Sequence, residues 1–199
     1  AADRRLVWDF PLPRTHTGVL LGNGVQGLMV WGVDTLNITV GRAGFWDHRG
    51  GNAFASRLSF DRLRELLAAG EHGQLHQIFA VPDVGPGEPE RTTQIGGGRV
   101  ELHFPRGLRP LRAVLHVGRA SLVVSIANDQ GEEHELELRQ AIDSELAWLR
   151  LPPALAGQVT LRVVPSWEHV HDELAAVGVA APSRWDTGAE QGFCQRLPQ

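Results

Sequence analysis

The 199-residue sequence predicts a mainly β protein with an antiparallel sandwich architecture. Apolar and polar residues alternate over short segments, as in residues 36–40 and 122–126, and this is the pattern of strands with one buried face. Turn residues separate these segments, and helical segments do not alternate with them. This order favours an antiparallel sandwich over a doubly wound α/β fold.

The first strands are predicted from proline and glycine positions. Prolines in residues 8–13 indicate an extended lead-in, because proline fixes φ and lacks an N–H donor. The Gly-Asn-Gly tripeptide at 22–24 precedes the apolar run 28–31, so we expect a hairpin there. We expect left-handed backbone at Asn23, a residue type that tolerates it.

Helical periodicity is confined to residues 59–80, where we expect one or two short helices. The first begins at Ser59, a suitable N-cap, and ends at Gly70. Its apolar stripe consists of Phe60, Leu63, Leu66 and Leu67. A second, weaker helix carries Leu75, Ile78 and Phe79, and is closed by Pro82 and the loop 85–89.

The rest of the sequence predicts further strands. They cover residues 100–104, 111–115, 122–126, 135–139, 146–151 and 159–164. A hairpin turn is expected at 128–131, followed by a strand with Leu136 and Leu138 inside and Glu135, Glu137 and Arg139 outside. Residues 185–199 contain no capping element, so either this terminus pairs locally or the natural polypeptide continues, and we expect it to continue.

Composition excludes several classes of function. The formal net charge is −4 and 21% of residues are charged, so no basic surface is expected for nucleic acid or an acidic membrane. Cys194 is the only cysteine, which excludes an internal disulfide and a cysteine-based metal site. No apolar run reaches the roughly 20 residues of a membrane span. The start Ala1-Ala2 is compatible with cleavage after small residues, so a secreted or periplasmic location stays open.

Several motifs occur along the sequence, and their order is more specific than any one of them. They are Leu21-Gly22-Asn23-Gly24, Met29-Val30-Trp31-Gly32, Leu36-Asn37, the loop with Trp46, the leucine-rich segment 62–70 and the segment 142–151. In this order they resemble the start of glycoside hydrolase family 95, the α-L-fucosidase-like enzymes, over nearly the whole chain.

The resemblance implies an architecture and a partner. As in the related family 65 phosphorylases, residues 1–199 would form one antiparallel β super-sandwich domain of the galactose mutarotase-like type. A catalytic (α/α)₆ barrel with the catalytic carboxylates would follow downstream. One departure is that Ile38-Thr39-Val40 follows Leu36-Asn37, where the fucosidases tend to have an acidic residue and a Thr-Leu-Trp segment. The chain therefore resembles a diverged branch, and fucose specificity is not carried over.

The segment 42–52 has the most unusual composition of the chain. Trp46 would stack on a pyranose ring while Asp47, His48 and Arg49 hydrogen-bond to hydroxyls, as in mixed apolar and polar sugar sites. Alternatively, Trp46 fills a core or a domain interface, and Asp47 and Arg49 pair with each other. Asn23 is a further candidate for substrate contact, with a purely structural turn as the alternative.

We assign no catalytic residue, metal or cofactor from the sequence. His169 and His171 would project from one side of a strand, but this pair falls short of a zinc motif. No pair of carboxylates can be identified from the sequence as the acid and base of glycoside hydrolysis. Nucleophile-elbow, phosphate-loop and dinucleotide motifs are lacking, so we expect this part of the polypeptide to be inactive alone.

Three hypotheses follow. The chain supports the barrel of a glycoside hydrolase acting on carbohydrate, and the 41–52 loop reaches the substrate. Alternatively, it is a free-standing carbohydrate-binding module that uses Trp46 and Trp185. Thirdly, it is a structural assembly domain, for which exposed apolar surface would be expected.

Overall fold

A computed structural model of the chain describes residues 4–51, 57–80, 85–105 and 107–198. Strands account for 40% and helices for 19%, and all named sheets are antiparallel. The prediction of a mainly β, antiparallel protein is therefore confirmed. Pro82, predicted to close the second helix, lies outside the described residues.

In the described residues, the elements follow one another as mostly short strands with three short α-helices. The strands are β1 (Arg5–Asp9), β2 (Val19–Gly22), β3 (Gln26–Gly32), β4 (Thr35–Arg42), β5 (Trp46–Asp47), β6 (Thr93–Gln94), β7 (Arg99–His103), β8 (Arg109–His116), β9 (Ser121–Ala127), β10 (Glu133–Gln140), β11 (Ala147–Arg150), β12 (Thr160–Val164), β13 (Ser183–Asp186) and β14 (Gln191–Cys194). The helices are α1 (Phe60–Ala68), α2 (His72–Phe79) and α3 (Trp167–Ala176).

The chain forms two compact units. The first, here called the sandwich unit, consists of Ala1–Phe45, Gly96–His169 and Pro182–Cys194. The second, here called the helical unit, consists of Trp46–Ile95, Val170–Ala181 and Gln195–Gln199.

Two five-stranded sheets make up most of the sandwich unit. Their strand orders are β1-β8-β9-β10-β11 and β12-β7-β4-β3-β2. Because side chains alternate between the two faces of a strand, each sheet can present one apolar face. Both apolar faces contribute to a single core, as in a β-sandwich. Its fully buried side chains include Val30, Leu36 and Leu102 of one sheet and Leu122, Val124 and Leu136 of the other.

The predicted hairpins are present. β2 pairs with β3 around the predicted turn, and β9 pairs with β10 across residues 128–131. Leu136 and Leu138 of β10 are 1% and 3% exposed, which confirms the predicted inner face. Asn23 does not have a left-handed backbone as expected; the positive φ belongs to Gly24, at 89°. Glycine adopts this conformation without steric cost, so Asn23 is free to use its side chain in the turn.

The helical unit confirms both predicted helices but not the predicted burial. The Ser59 side chain accepts a hydrogen bond from the Arg62 backbone N–H at 3.2 Å, which caps α1. Leu66 is buried, whereas Phe60 and Leu67 are 73% and 51% exposed. The apolar stripe predicted from helical spacing is therefore only partly covered.

The third helix corrects the expected structure of residues 168–173. These residues belong to α3 and not to a strand, so the expectation that His169 and His171 share one side of a strand is wrong. Val170 interrupts the helical geometry with φ of −139°. Alternation of residue types over only a few positions does not distinguish a strand from a short, kinked helix. In the described part of the chain, no helix has the length and apolar character of a membrane span.

The core makes a direct prediction about stability. Leu102→Ala should lower the free energy of unfolding by about 2–5 kcal/mol, because Leu102 is fully buried and the substitution leaves a cavity. Leu161 pairs with Leu102 on the neighbouring strand but is 40% exposed. Leu161→Ala should cost less than half as much in urea unfolding followed by circular dichroism. Equal losses would contradict the assigned core.

Candidate functional site

The predicted loop at residues 46–49 is held by a short pair of strands in the helical unit. Trp46 pairs with Gln94 and Asp47 with Thr93. The chain then turns at Gly50, where an added Cβ would lie 2.0 Å from the Pro89 carbonyl oxygen. Glycine is required by this close approach as well as by the positive φ. The pairing of β5 with β6 and the close approach at Gly50 therefore fix the backbone of this loop within the helical unit.

Asp47 is the best buried of the predicted site residues, at 1% exposure. Its Oδ1 accepts hydrogen bonds from the Arg49 backbone N–H and Nε at 3.0 Å each, and its Oδ2 accepts from Arg49 Nη2 at 2.8 Å. Arg49 Nη2 also donates to the Val177 carbonyl oxygen. The Arg49 side chain holds the pKa of Asp47 below its ordinary value, although burial alone would raise it.

This geometry corresponds to the local pairing considered as an alternative for Asp47 and Arg49. A bidentate pair of this kind directs the two side chains at each other and not at a ligand. Trp46 is half-buried and His48 is exposed. Within the loop, His48 and the remaining surface of Trp46 are thus the groups best placed to meet a ligand.

Asn23 belongs to the sandwich unit, and its side-chain amide is fully hydrogen-bonded. Its Nδ2 donates to the carbonyl oxygens of Ala141 and Ser144 at 2.9 and 2.8 Å. Its Oδ1 accepts from the backbone N–H groups of Val25 and Gln26 at 3.0 and 2.8 Å. An amide has two donors and two acceptor sites, and all four are used. Asn23 therefore fastens the β2–β3 turn to the loop after β10.

A different aromatic residue of the sandwich unit has the geometry of a sugar-binding platform. Trp185 of β13 pairs directly with Gly192 of β14. A Cβ at Gly192 would lie 2.2 Å from Trp185 Cζ2, so the indole lies against the bare glycine backbone. Trp185 is nevertheless 48% exposed. The ring is supported by the hairpin on one side and is accessible to solvent on the other.

Polar groups surround this indole. A depression of about 170 Å³ is lined by Trp185, Arg184, Asp186 and Gln191, among others. Arg184 is oriented by Glu168 and donates to the Val163 carbonyl oxygen at 2.8 Å. Asp186 Oδ1 accepts from the Gly188 backbone N–H at 2.8 Å. An aromatic face bordered by amide and carboxylate groups has the composition of a small-ligand site, although the depression is below the roughly 300–1,000 Å³ of most such sites and so covers only part of a ligand.

The sequence suggested Trp185 as a candidate aromatic residue, but its pairing with Gly192 was not predicted. The signal was available, because the Asp-Thr-Gly segment at 186–188 is a turn sequence. A hairpin folded at this turn brings residues 185 and 192 opposite each other.

The most buried carboxylates of the sandwich unit lie in arginine-rich clusters that were not predicted. Glu101 Oε1 accepts from Arg99 at 2.6 Å, and its Oε2 lies 3.2 Å from His103 Nε2. Glu137 accepts from Ser121, Arg139 and Arg150 at 2.5 to 2.7 Å. Arg99 and His103 lie two residues to either side of Glu101 on β7. Arg139 likewise follows Glu137 on β10, whereas Ser121 of β9 is diagonal to Glu137 and Arg150 of β11 is opposite it.

These clusters fix the ionisation of both glutamates. Burial by itself would raise the pKa of Glu101. Hydrogen bonds from Arg99 and His103 lower this pKa by more than burial raises it, so the net shift is downward. Hydrogen bonds from Ser121 and then Arg139 lower the pKa of Glu137. A general acid needs a pKa raised toward the working pH. Glu101 and Glu137 are shifted in the opposite direction, as is Asp47.

No protein-family model matches the chain, and no curated protein matches it. The resemblance to glycoside hydrolase family 95 therefore stays a prediction. Among the residues that the structure describes, no group of three or more His, Cys, Asp or Glu side chains is arranged to hold a metal ion.

The buried ion pair predicts a pH dependence of the helical unit. An aspartate with a lowered folded pKa stabilises the protein above the unfolded value of about 3.9, and this contribution is lost as pH falls through the folded pKa. Asp47→Asn should reduce stability at pH 7 by about 1–3 kcal/mol. It should also flatten the loss of stability that begins below about pH 5 and continues down through the folded pKa of Asp47.

Hydrogen exchange of the backbone amides of β5 and β6 measures this effect locally. Asp172→Asn is the matched control, because the Asp172 carboxylate is 89% exposed. An unchanged acid response in Asp47→Asn would show that the pair does not support this unit.

Proposed function

We propose that the chain is a non-catalytic carbohydrate-binding domain of a glycoside hydrolase, and that Trp185 is the platform on which a sugar ring stacks. The observation that carries this proposal is the pairing of Trp185 with Gly192. It keeps the indole flat against the hairpin while leaving 48% of the residue exposed. A preformed aromatic surface binds without the cost of ordering a mobile side chain.

The neighbouring polar groups support the same assignment. Gln191 and Asp186 border the depression beside the indole, and their amide and carboxylate groups can exchange hydrogen bonds with sugar hydroxyls. The indole supplies apolar area for the C–H face of a pyranose. Together they combine stacking with a few directional contacts, which is how concave sites recognise small polar ligands.

The lowered pKa values do not suit the general acid that glycoside hydrolysis requires. Asp47, Glu101 and Glu137 are each held ionised by arginine or hydroxyl donors, so none of them is tuned as a general acid. The link to a glycoside hydrolase rests on the ordered motifs of the sequence. In this proposal, catalysis belongs to a downstream barrel domain of the same polypeptide.

Titration of the chain with a panel of neutral oligosaccharides tests the binding function. Trp185→Ala should weaken the best ligand at least tenfold, since an anchoring aromatic contributes roughly 1.4 kcal/mol or more. Gly192→Val should have a similar effect, because a side chain there would displace the indole. Calorimetry and chemical-shift mapping of the indole N–H report both changes.

Trp148→Ala is the matched control, because Trp148 is also exposed, at 51%, but lies on β11. It should leave binding unchanged. Equal weakening by Trp148→Ala, or the lack of binding to any member of the panel, would refute the Trp185 platform. Separately, turnover of aryl glycosides by the chain alone would refute the non-catalytic role.

Exposed apolar side chains favour a second function, docking of the helical unit onto the catalytic domain. Phe60, Leu67 and Phe79 are 73%, 51% and 44% exposed on α1 and α2, which is more apolar surface than a free helix pair needs. Phe60→Ser combined with Leu67→Ser should weaken association with the downstream domain in sedimentation experiments. Undiminished association would exclude this surface.

A further inference from the structure

The two sheets of the sandwich unit do not close on each other along one side. A cleft of about 360 Å³ remains there between β3, β4, β7 and β12 on one side and β10 and β11 on the other. Sandwich cores are normally filled by interdigitating side chains at the density of an organic crystal. An open cleft of this size is therefore a departure from ordinary core packing.

The walls of the cleft are aliphatic from floor to mouth. Leu28 and Leu138 are 2% and 3% exposed and lie deep in the core, whereas Leu161 and Leu146 are 40% and 68% exposed. A gradient from buried to exposed leucines leads from solvent into the core. Binding of an apolar molecule here would remove this aliphatic surface from water, which is favourable.

The polar lining of the cleft is confined to Gln26 and Glu145. Glu145 is balanced by Arg42, whose Nε and Nη2 donate to the two carboxylate oxygens at 2.7 and 2.8 Å. The charge of this pair is thus already neutralised within the chain. A second carboxylate at this position would have to compete with Glu145 for Arg42, whereas an uncharged group would not.

A buried acceptor without a donor lies beside the same polar groups. Gln140 is 6% exposed, and its Nε2 donates to Gln26 Oε1 at 2.9 Å and to the Leu146 carbonyl oxygen at 3.1 Å. Its Oε1 has no hydrogen-bond partner. Gln140 does not itself line the cleft, but it pairs with Ala147 and lies two residues after Leu138 on β10, and both of these residues do line it. The Gln140 side chain is therefore on the cleft side of the sheet. A buried acceptor left unsatisfied is costly, and a hydroxyl donor would satisfy it.

We propose that this cleft binds one aliphatic chain that carries an uncharged, hydroxyl-bearing head group. The chain lies between the leucines of the two sheets, and the hydroxyl lies at Gln26, Gln140 and Glu145. At roughly 30 Å³ for each methylene-sized group, about the volume of a water molecule in the liquid, a cleft of about 360 Å³ holds roughly twelve such groups, which is enough for an eight-carbon chain and its hydroxyl group. This inference is independent of the sugar-binding function proposed for Trp185.

Binding of 1-octanol to the full chain tests the proposal. Methyl NMR spectra should show saturable, one-to-one shifts of the Leu28, Leu138 and Leu149 methyl groups. 1-Butanol should bind at least tenfold more weakly, because it buries four fewer methylene groups. Octanoate at pH 7 should also bind at least tenfold more weakly than 1-octanol, because its carboxylate would have to compete with Glu145 for Arg42.

Two variants locate the ligand. Ala147→Phe fills the cleft from β11 and should weaken 1-octanol binding at least tenfold. Trp148→Ala, at the next position of the same strand and on its opposite face, should leave binding unchanged. If Ala147→Phe does not fold, Leu161→Trp at the exposed mouth replaces it, with the same expected loss.

Each contrary result overturns part of the proposal. Non-saturable shifts, or full binding by folded cleft-filling variants, would show that the cleft is not the site. Octanoate binding as tightly as 1-octanol would overturn the uncharged head group. A dimer that dissociates on addition of 1-octanol would show that a second copy of the chain occupies the cleft. Loss of sugar binding in Trp185→Ala with intact 1-octanol binding separates the two functions.

Discussion

Mutual burial of two apolar sheet faces is the constraint on which the sandwich unit depends. Each five-stranded sheet is apolar on one face only, so neither is stable in water unless that face is covered. Val30 and Leu102 from one sheet and Leu122 and Val124 from the other are fully buried in one core. The positions of the turns, and hence of the candidate site, follow from this pairing.

The outer faces of the same sheets raise a different physical problem. Glu101 and Glu137 are largely withdrawn from water, which would be unfavourable for unpaired carboxylates. Arginines on neighbouring positions and strands neutralise both. All 19 basic residues of the chain are arginine, and the planar guanidinium suits the bidentate and shared contacts seen at Asp47 and Glu145.

In both of the binding sites proposed for this chain, neighbouring groups hold a functional side chain in place. Gly192 gives the Trp185 indole a flat base that any side chain would remove. At the cleft, the Gln140 amide is fixed by the Gln26 side chain and the Leu146 carbonyl. In both cases the binding surface exists before any ligand arrives, which limits the entropy lost on binding.

The sequence by itself determined the local structure of much of the chain. Period-two alternation predicted β4, β9 and β10, and Ser59 predicted the start of α1, because strand faces and helix caps depend on neighbouring residues. Only the tertiary structure decided how side chains are used. Asn23 was a candidate ligand from sequence, but its four hydrogen bonds include partners more than 100 residues away. Residue spacing does not reveal such contacts.

The same distinction applies to burial and to clefts. Helical spacing placed Phe60 and Leu67 on one stripe, yet coverage of a stripe depends on which element packs there, and both residues are exposed. The cleft beside Leu161 arises because two sheets diverge, which requires the positions of six strands. Periodicity records which residues can be buried, whereas the packing of distant segments decides which of them are.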